Sequence, residues 1–111
     1  MMTLEPQLKE LIAKFNDKIA QDEKLRGELK GVDRKVLIDL ESERYNFHLY
    51  DSKVNDFKPG DIADPDITIQ SDPETMEGLI SGKTKPMKAL ALRKLRLKGN
   101  IEDMLRLKNL F

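Results

Sequence analysis

Residues 34–50, Arg34-Lys-Val-Leu-Ile-Asp-Leu-Glu-Ser-Glu-Arg-Tyr-Asn-Phe-His-Leu-Tyr50, alternate between apolar and polar twice in succession. Val36, Ile38 and Leu40 fall on one face of the first run, with Lys35, Leu37 and Asp39 on the other. In the second run Tyr45, Phe47 and Leu49 oppose Arg44, Asn46, His48 and Tyr50. A period of two over six or more residues describes a strand with one face buried, so this stretch predicts two strands joined by a tight turn near Ser42. A weaker third strand follows at Val54–Phe57, closed by Pro59 and Gly60. Asp66 to Gln70 alternates again with Ile67 and Ile69 inward, and Leu95 and Leu97 do so between Lys94, Arg96 and Lys98. Five strands with one wet face each predict an antiparallel or mixed sheet covered on one side by helices, and the fold expected is a mostly antiparallel one, a β-meander followed by a crossover and two further strands.

Outside those strands the period is helical. Leu8, Leu11, Ile12, Phe15 and Ile19 recur at helical spacing after Leu4, opposite Lys9, Glu10, Lys14, Asp17 and Lys18. Thr3 suits an N-cap and Pro6 a first turn, while Gly27 and Gly31 mark the loop beyond. Ser71-Asp72-Pro73-Glu74 has capping-box spacing and opens a short helix carrying Met76, Leu79 and Ile80, ended by Gly82. Pro86 opens another, with Met87, Leu90 and Ala91 as its apolar face. Asn100 is a good N-cap for a last helix presenting Ile101, Met104, Leu105, Leu107 and Phe111. With 111 residues there is room for one core, and no internal repeat is visible, so one α+β domain spans the chain.

Composition narrows the function. Twenty basic residues balance twenty acidic ones, so no global field favours nucleic acid, and an aromatic content of 5% offers few platforms for base stacking. Cysteine is absent, which removes disulfides, thiol nucleophiles and thiolate metal sites. His48 is the single histidine and has no partners for a metal or a catalytic triad, and the carboxylates show no calcium-loop or acid/base spacing. Ser81-Gly-Lys-Thr84 resembles the end of a phosphate-binding loop, but the first glycine of that motif is missing. No catalysis, cofactor or metal is expected. The longest apolar run, Ala89–Leu92, is far too short for a membrane span, and no signal peptide is read, so a cytoplasmic location is expected.

The order of pieces in the second half adds a family. Asp66-Ile-Thr-Ile-Gln-Ser-Asp72, then Met76 to Leu79, Ser81-Gly-Lys-Thr-Lys-Pro86, Met87-Lys-Ala-Leu-Ala91 and Lys94-Leu-Arg-Leu-Lys-Gly-Asn100 are similar in order and spacing to the sterol carrier protein 2 family. The first half matches only in its helix-then-strands order. Two departures stand out: Leu92-Arg93 where the family usually has Gly, and a shorter connection ahead of Asp66. The resemblance implies helices on one face of a five-stranded sheet, an apolar tunnel between the layers, and non-enzymatic binding or transfer of a fatty acid, fatty acyl-CoA, sterol or other lipid.

On that basis the expected cavity lining is Ile38, Phe47, Ile69, Met76, Leu79 and Ile80 together with Met87, Leu90, Ala91, Leu97, Met104 and Leu107. Methionines suit such a lining because an unbranched, polarizable side chain adapts to varied apolar shapes, although Met at helical spacing also serves as ordinary core. Charge is segregated along the second half, acidic from Asp61 to Glu77 and basic from Lys83 to Lys98. Lys83, Lys85 and Lys88 are the expected contacts to a lipid headgroup or an anionic membrane, against the plainer reading of a solvated basic surface. A second functional class keeps the fold with a filled cavity and acts as a protein-interaction or homodimerisation module.

Overall fold

The alternating stretch becomes a hairpin at the centre of a five-stranded sheet in the computed structural model, which describes residues 3–103. The elements run α1 (Glu5–Gln21), α2 (Glu23–Leu29), β1 (Arg34–Asp39), β2 (Arg44–Tyr50), β3 (Lys53–Pro59), β4 (Ile67–Gln70), α3 (Pro73–Ser81), α4 (Pro86–Ala91) and β5 (Arg96–Lys98). Residues 101–103 are helical, and Asn100 Oδ1 accepts the Asp103 N–H at 2.8 Å as the expected N-cap. The sheet order is β3-β2-β1-β4-β5, with β1 and β4 parallel and the other neighbours antiparallel.

Register confirms the parity read from the sequence. Val36 faces Phe47 and Ile38 faces Tyr45 across β1 and β2, while Ile69 lies beside Ile38 on one side and Leu97 on the other. The β2–β3 turn is two residues, Asp51 and Ser52, both at positive φ (54° and 53°), the combination whose twist suits a two-residue hairpin. Asp56, at φ 56°, sits at a register shift in β3, and this bulge returns Phe57 to the helix side, where its ring stacks on Tyr45 at 5.5 Å.

The helix side differs from the sequence expectation at four places. Leu4, and not Thr3, is the N-cap of α1; no side chain caps it, but the Leu4 N–H donates to Glu43 Oε1 at 2.8 Å. Leu11 lies at the edge of the buried stripe and is 42% exposed, while Leu8 and Ile19 are buried. Gly27 does not lie in a loop but inside α2, an unforeseen helix whose cap is Asp22, accepting the Leu25 N–H at 3.1 Å, and whose Leu25 and Leu29 are buried. At α3 the cap is Asp72, which accepts from the Thr75 N–H at 2.7 Å and its hydroxyl at 2.8 Å. Ser71 instead donates its hydroxyl to Lys94 O, tying α3's entry to the approach to β5.

Two contiguous apolar clusters result. One gathers Ile19, Leu25, Leu29, Val32, Leu49 and Val54 under α1 and α2. The other gathers Leu4, Leu8, Ile38, Leu40, Tyr45 and Met76, with Phe47, Phe57, Ile69, Leu79 and Ile80 partly buried against it. Among the described residues no helix is long and apolar enough to cross a membrane.

Candidate functional site

The inner face of the sheet changes character along one row. Tyr45, Ile38, Ile69 and Leu97 lie side by side from β2 to β5; the first two are buried at 3% and 5% exposure, the last two only half-buried. Above the deep end sit Leu4, Leu8 and Met76. At the shallow end the available cover is α3, with Leu79 and Ile80 half-buried, and α4, with Leu90 half-buried. The apolar side chains of β4, β5, α3 and α4 at this end are thus less deeply buried than those at the other.

Of the expected lining residues, Ile38, Phe47, Ile69, Met76, Leu79 and Ile80 meet around one cluster. Leu90 and Leu97 are half-buried, Leu97 beside Ile69 in the sheet. Met87 and Ala91 are not brought there. The residue of α4 that enters the core is Ala89, at 1% exposure, and on a six-residue helix that places Met87 (52% exposed) and Ala91 on the opposite side. Met104 and Leu107 lie outside the described residues. Lys83, Lys85 and Lys88 are all exposed.

The orientation of α4 is set by its end. Arg93, at φ 59°, donates its N–H to Leu90 O at 3.1 Å, and Lys94 donates to Ala89 O at 2.9 Å, the two bonds of a Schellman closure with arginine where glycine is the favoured residue. Gly82 closes α3 at φ 84°. Gly78, in the middle of α3, lies so close to Thr84 that a Cβ there would collide with the threonine side chain, and Thr84 N–H donates to Gly78 O at 3.0 Å. The loop between the two short helices is thereby folded back onto α3.

Polar groups hold the frame. Tyr45 donates to Glu43 Oε1 at 2.5 Å; burial, followed by that bond, pushes its hydroxyl pKa up to about 12, while a bond with Thr3 acts in the other direction. Asp103, 2% exposed, accepts from Arg34 Nε at 2.8 and 3.0 Å and so holds the start of the last helix to the start of β1. That hydrogen bond and the adjacent negative charge raise the Arg34 pKa further, against a smaller effect of burial. On the opposite face of the sheet His48 pairs with Asp33, a structural contact. The Gln7 side-chain oxygen is buried with no donor among the described residues.

A second recess was not foreseen from the sequence. At the ends of β1 and β4 a polar cleft of about 270 Å³ is lined by Asp39, Glu41, Gln70, Asp72, Arg93 and Arg96 among others. Asp39 is already paired with Arg44 at 3.4 Å. Asp72 is held below the usual carboxylate range chiefly by the Thr75 N–H, with burial opposing and the Thr75 hydroxyl and Lys94 assisting. Only strand order brings these residues together; no local sequence signal marks them. A larger depression of about 680 Å³ outside the α1–α2 junction is lined by exposed groups such as Lys14, Asp17, Lys18 and Glu23, and is a solvated groove.

The model of the SCP-2 sterol transfer family matches residues 5–111. The chain belongs to that family. Membership and fold together make it a lipid- or sterol-binding or transfer domain in the general sense, from a family that is generally not enzymatic. The crystal structure of sterol carrier protein 2 like 2 from Aedes aegypti shares the fold at TM-score 0.66, with 20% identity over 98% of this chain and 100% of that one. The palmitated form of that mosquito protein in solution gives 0.68, with 18% identity over 98% and 94%. The inverting sec-alkylsulfatase Pisa1 of a Pseudomonas species matches at 0.55, with 15% identity over 71% of this chain. This chain spans 13% of that enzyme's length, so the same fold also occurs as a small region of a sulfatase. At these identities the likeness is one of fold. No curated protein sequence matches the chain.

Proposed function

We propose that this SCP-2 domain binds one apolar ligand, such as a fatty acid, fatty acyl-CoA or sterol, between the inner face of β4 and β5 and the helices α3 and α4, and releases it unchanged. The carrying observation is the row Tyr45, Ile38, Ile69, Leu97, which passes from sealed core to half-exposed apolar surface within one layer. Ile69, Leu79, Ile80, Leu90 and Leu97 are the proposed contacts at the open end, with Ile38, Phe47 and Met76 as its floor. Each methylene moved from water onto such a surface contributes about 0.8 kcal/mol in gross transfer energy, enough for a long acyl chain to bind without any charged anchor.

Gln7 offers a polar complement. A buried acceptor without a donor costs about 1–3 kcal/mol, and a ligand hydroxyl or protonated acid reaching it would remove that cost.

The test is native mass spectrometry of freshly purified protein with extraction of anything bound, alongside titration with a fluorescent fatty acid. A stoichiometric lipid, or saturable binding weakened by Leu79→Ala and Leu97→Ala, is the expected result. Clean spectra together with no uptake of fatty acid or sterol would overturn it in favour of a filled-core interaction module.

A further inference from the structure

We infer that the polar cleft at the carboxyl ends of β1 and β4 is a binding site for a small amino acid that carries a second carboxylate. The cleft is separate from the proposed apolar site. Asp39, Gln70 and Arg96 are partners in one row across β1, β4 and β5, and alternation puts that row on the sheet face opposite Ile38, Ile69 and Leu97. Topology explains why a recess forms there. Strands β1 and β4 are parallel neighbours, and the chain leaves the first toward β2 and the second toward α3 and β5. Connections that diverge in this way leave a crevice outside the strand ends, the place where open α/β sheets ordinarily take ligands.

Backbone strain marks the same place. Among the described residues six that are not glycine have positive φ. Asp51, Ser52, Asp56 and Asp64 are small polar residues of the kind that turns favour. The other two, Glu41 at 69° and Arg93 at 59°, are long and charged, and both line the cleft. Glu41 comes from the β1–β2 turn and Arg93 from the end of α4. Glycine would be easier on the backbone at either point, so what the chain keeps there is a side chain.

The charges left over define the ligand. Asp39 pairs with Arg44 at 3.4 Å, while Asp72 is held by Thr75 and acted on by Lys94. Glu41, Arg93 and Arg96 form no ion pair among the described residues. Two guanidinium groups and one carboxylate therefore stand open in a recess of about 270 Å³. Their complement is two carboxylates and one ammonium on a small frame, because each guanidinium offers a planar fork to a carboxylate and Glu41 accepts from the ammonium. A plain dicarboxylate would be repelled by Glu41, and an amino acid without the second carboxylate would leave one arginine unmatched.

Heteronuclear NMR titration of the isotope-labelled full chain with L-glutamate, L-glutamine and glutarate tests this. L-glutamate is expected to give saturable shifts centred on the backbone amides of residues 39–41, 70–72 and 93–96. L-glutamine lacks one carboxylate and glutarate lacks the ammonium, so each should bind about tenfold more weakly, the worth of one charged hydrogen bond. Arg96→Gln should cost L-glutamate a similar factor, and Glu41→Gln should erase its advantage over glutarate. Arg93→Gly should lower its affinity about tenfold while raising the urea midpoint, a split that an arginine with a purely structural role would not show. Glu41, Arg93 and Arg96 are exposed, so the spectra of the variants should otherwise match wild type. No saturable shift with any of the three compounds, equal affinity for all of them, shifts centred elsewhere, or undiminished binding of L-glutamate by Arg93→Gly or Arg96→Gln would each overturn the assignment.

Discussion

The two halves of the apolar layer are built from the same residue types and are sealed to different degrees. Around α1 and α2, Ile19, Leu25, Leu29, Val32, Leu49 and Val54 are buried, with Ile12 and Phe15 half-buried against them. Around α3 and α4, Met76, Ala89 and Leu95 are buried, but Ile69, Leu79, Ile80, Leu90 and Leu97 are only half-buried. The difference lies in cover: a 17-residue helix and its companion α2 press on the three-stranded meander, whereas helices of nine and six residues lie over strands of four and three. Short elements carry little apolar area each, so the second half is less completely buried, and it is there that the proposed ligand would add cover.

Leu-to-Ala substitution in each half is the most direct way to break this contrast. Leu29→Ala, at a fully buried position, should cost about 3 kcal/mol, and Leu79→Ala, half-buried, about 1 kcal/mol in urea unfolding of ligand-free protein. Equal losses would mean that the second half is as well packed as the first. Asp103→Ala comes next. It removes the carboxylate that pins the last helix to β1 and should cost about 2 kcal/mol, less than for a fully buried pair because the Arg34 side chain is 30% exposed and water can reach it.

Smaller effects locate what steadies the second half. Asp72→Ala removes the cap of α3 and should cost about 1 kcal/mol at neutral pH. The Asp72 pKa in the folded chain is depressed, so its contribution is complete above the ordinary carboxylate pKa of about 4 and disappears as pH falls through the lower folded value. Thermal melts of wild type and variant should therefore converge in acid; a gap that persists there would show that the carboxylate charge is not what caps the helix. The smallest effect has the opposite sign. Arg93→Gly relieves a left-handed backbone held by a residue with a Cβ and should stabilise the chain by about 0.5–1 kcal/mol, read from the same urea midpoints.

Much of this was legible before any coordinates. Alternation in 34–50 and 66–70 assigned Ile38, Phe47 and Ile69 to the helix side, and register agrees because a slip by one residue would turn every one of them to water. Gly82 and Pro73 marked the ends of α3 because each acts through its own backbone geometry. Helix α2 was missed for the converse reason: seven residues with a glycine inside are too few to show a period, and Asp22 declares itself as a cap only once the Leu25 N–H is seen to reach it. Of the three apolar residues on α4, Leu90 is half-buried as expected, whereas Met87 and Ala91 face solvent opposite the buried Ala89. On a single exposed turn, the contact made by one alanine outweighs the pattern.

The sequence by itself determined the strand parity, the bounds of α3 at Pro73 and Gly82, the family and the absence of thiol chemistry, since each of these is written in neighbouring residues or in composition. Tertiary structure alone decided that β4 runs parallel beside β1, that Asp103 meets Arg34 across 69 positions, and that Ala89 and not Met87 enters the core. Those outcomes depend on which distant surfaces compete for the same apolar area and the same hydrogen-bond partners, and that competition is resolved only when the chain is closed.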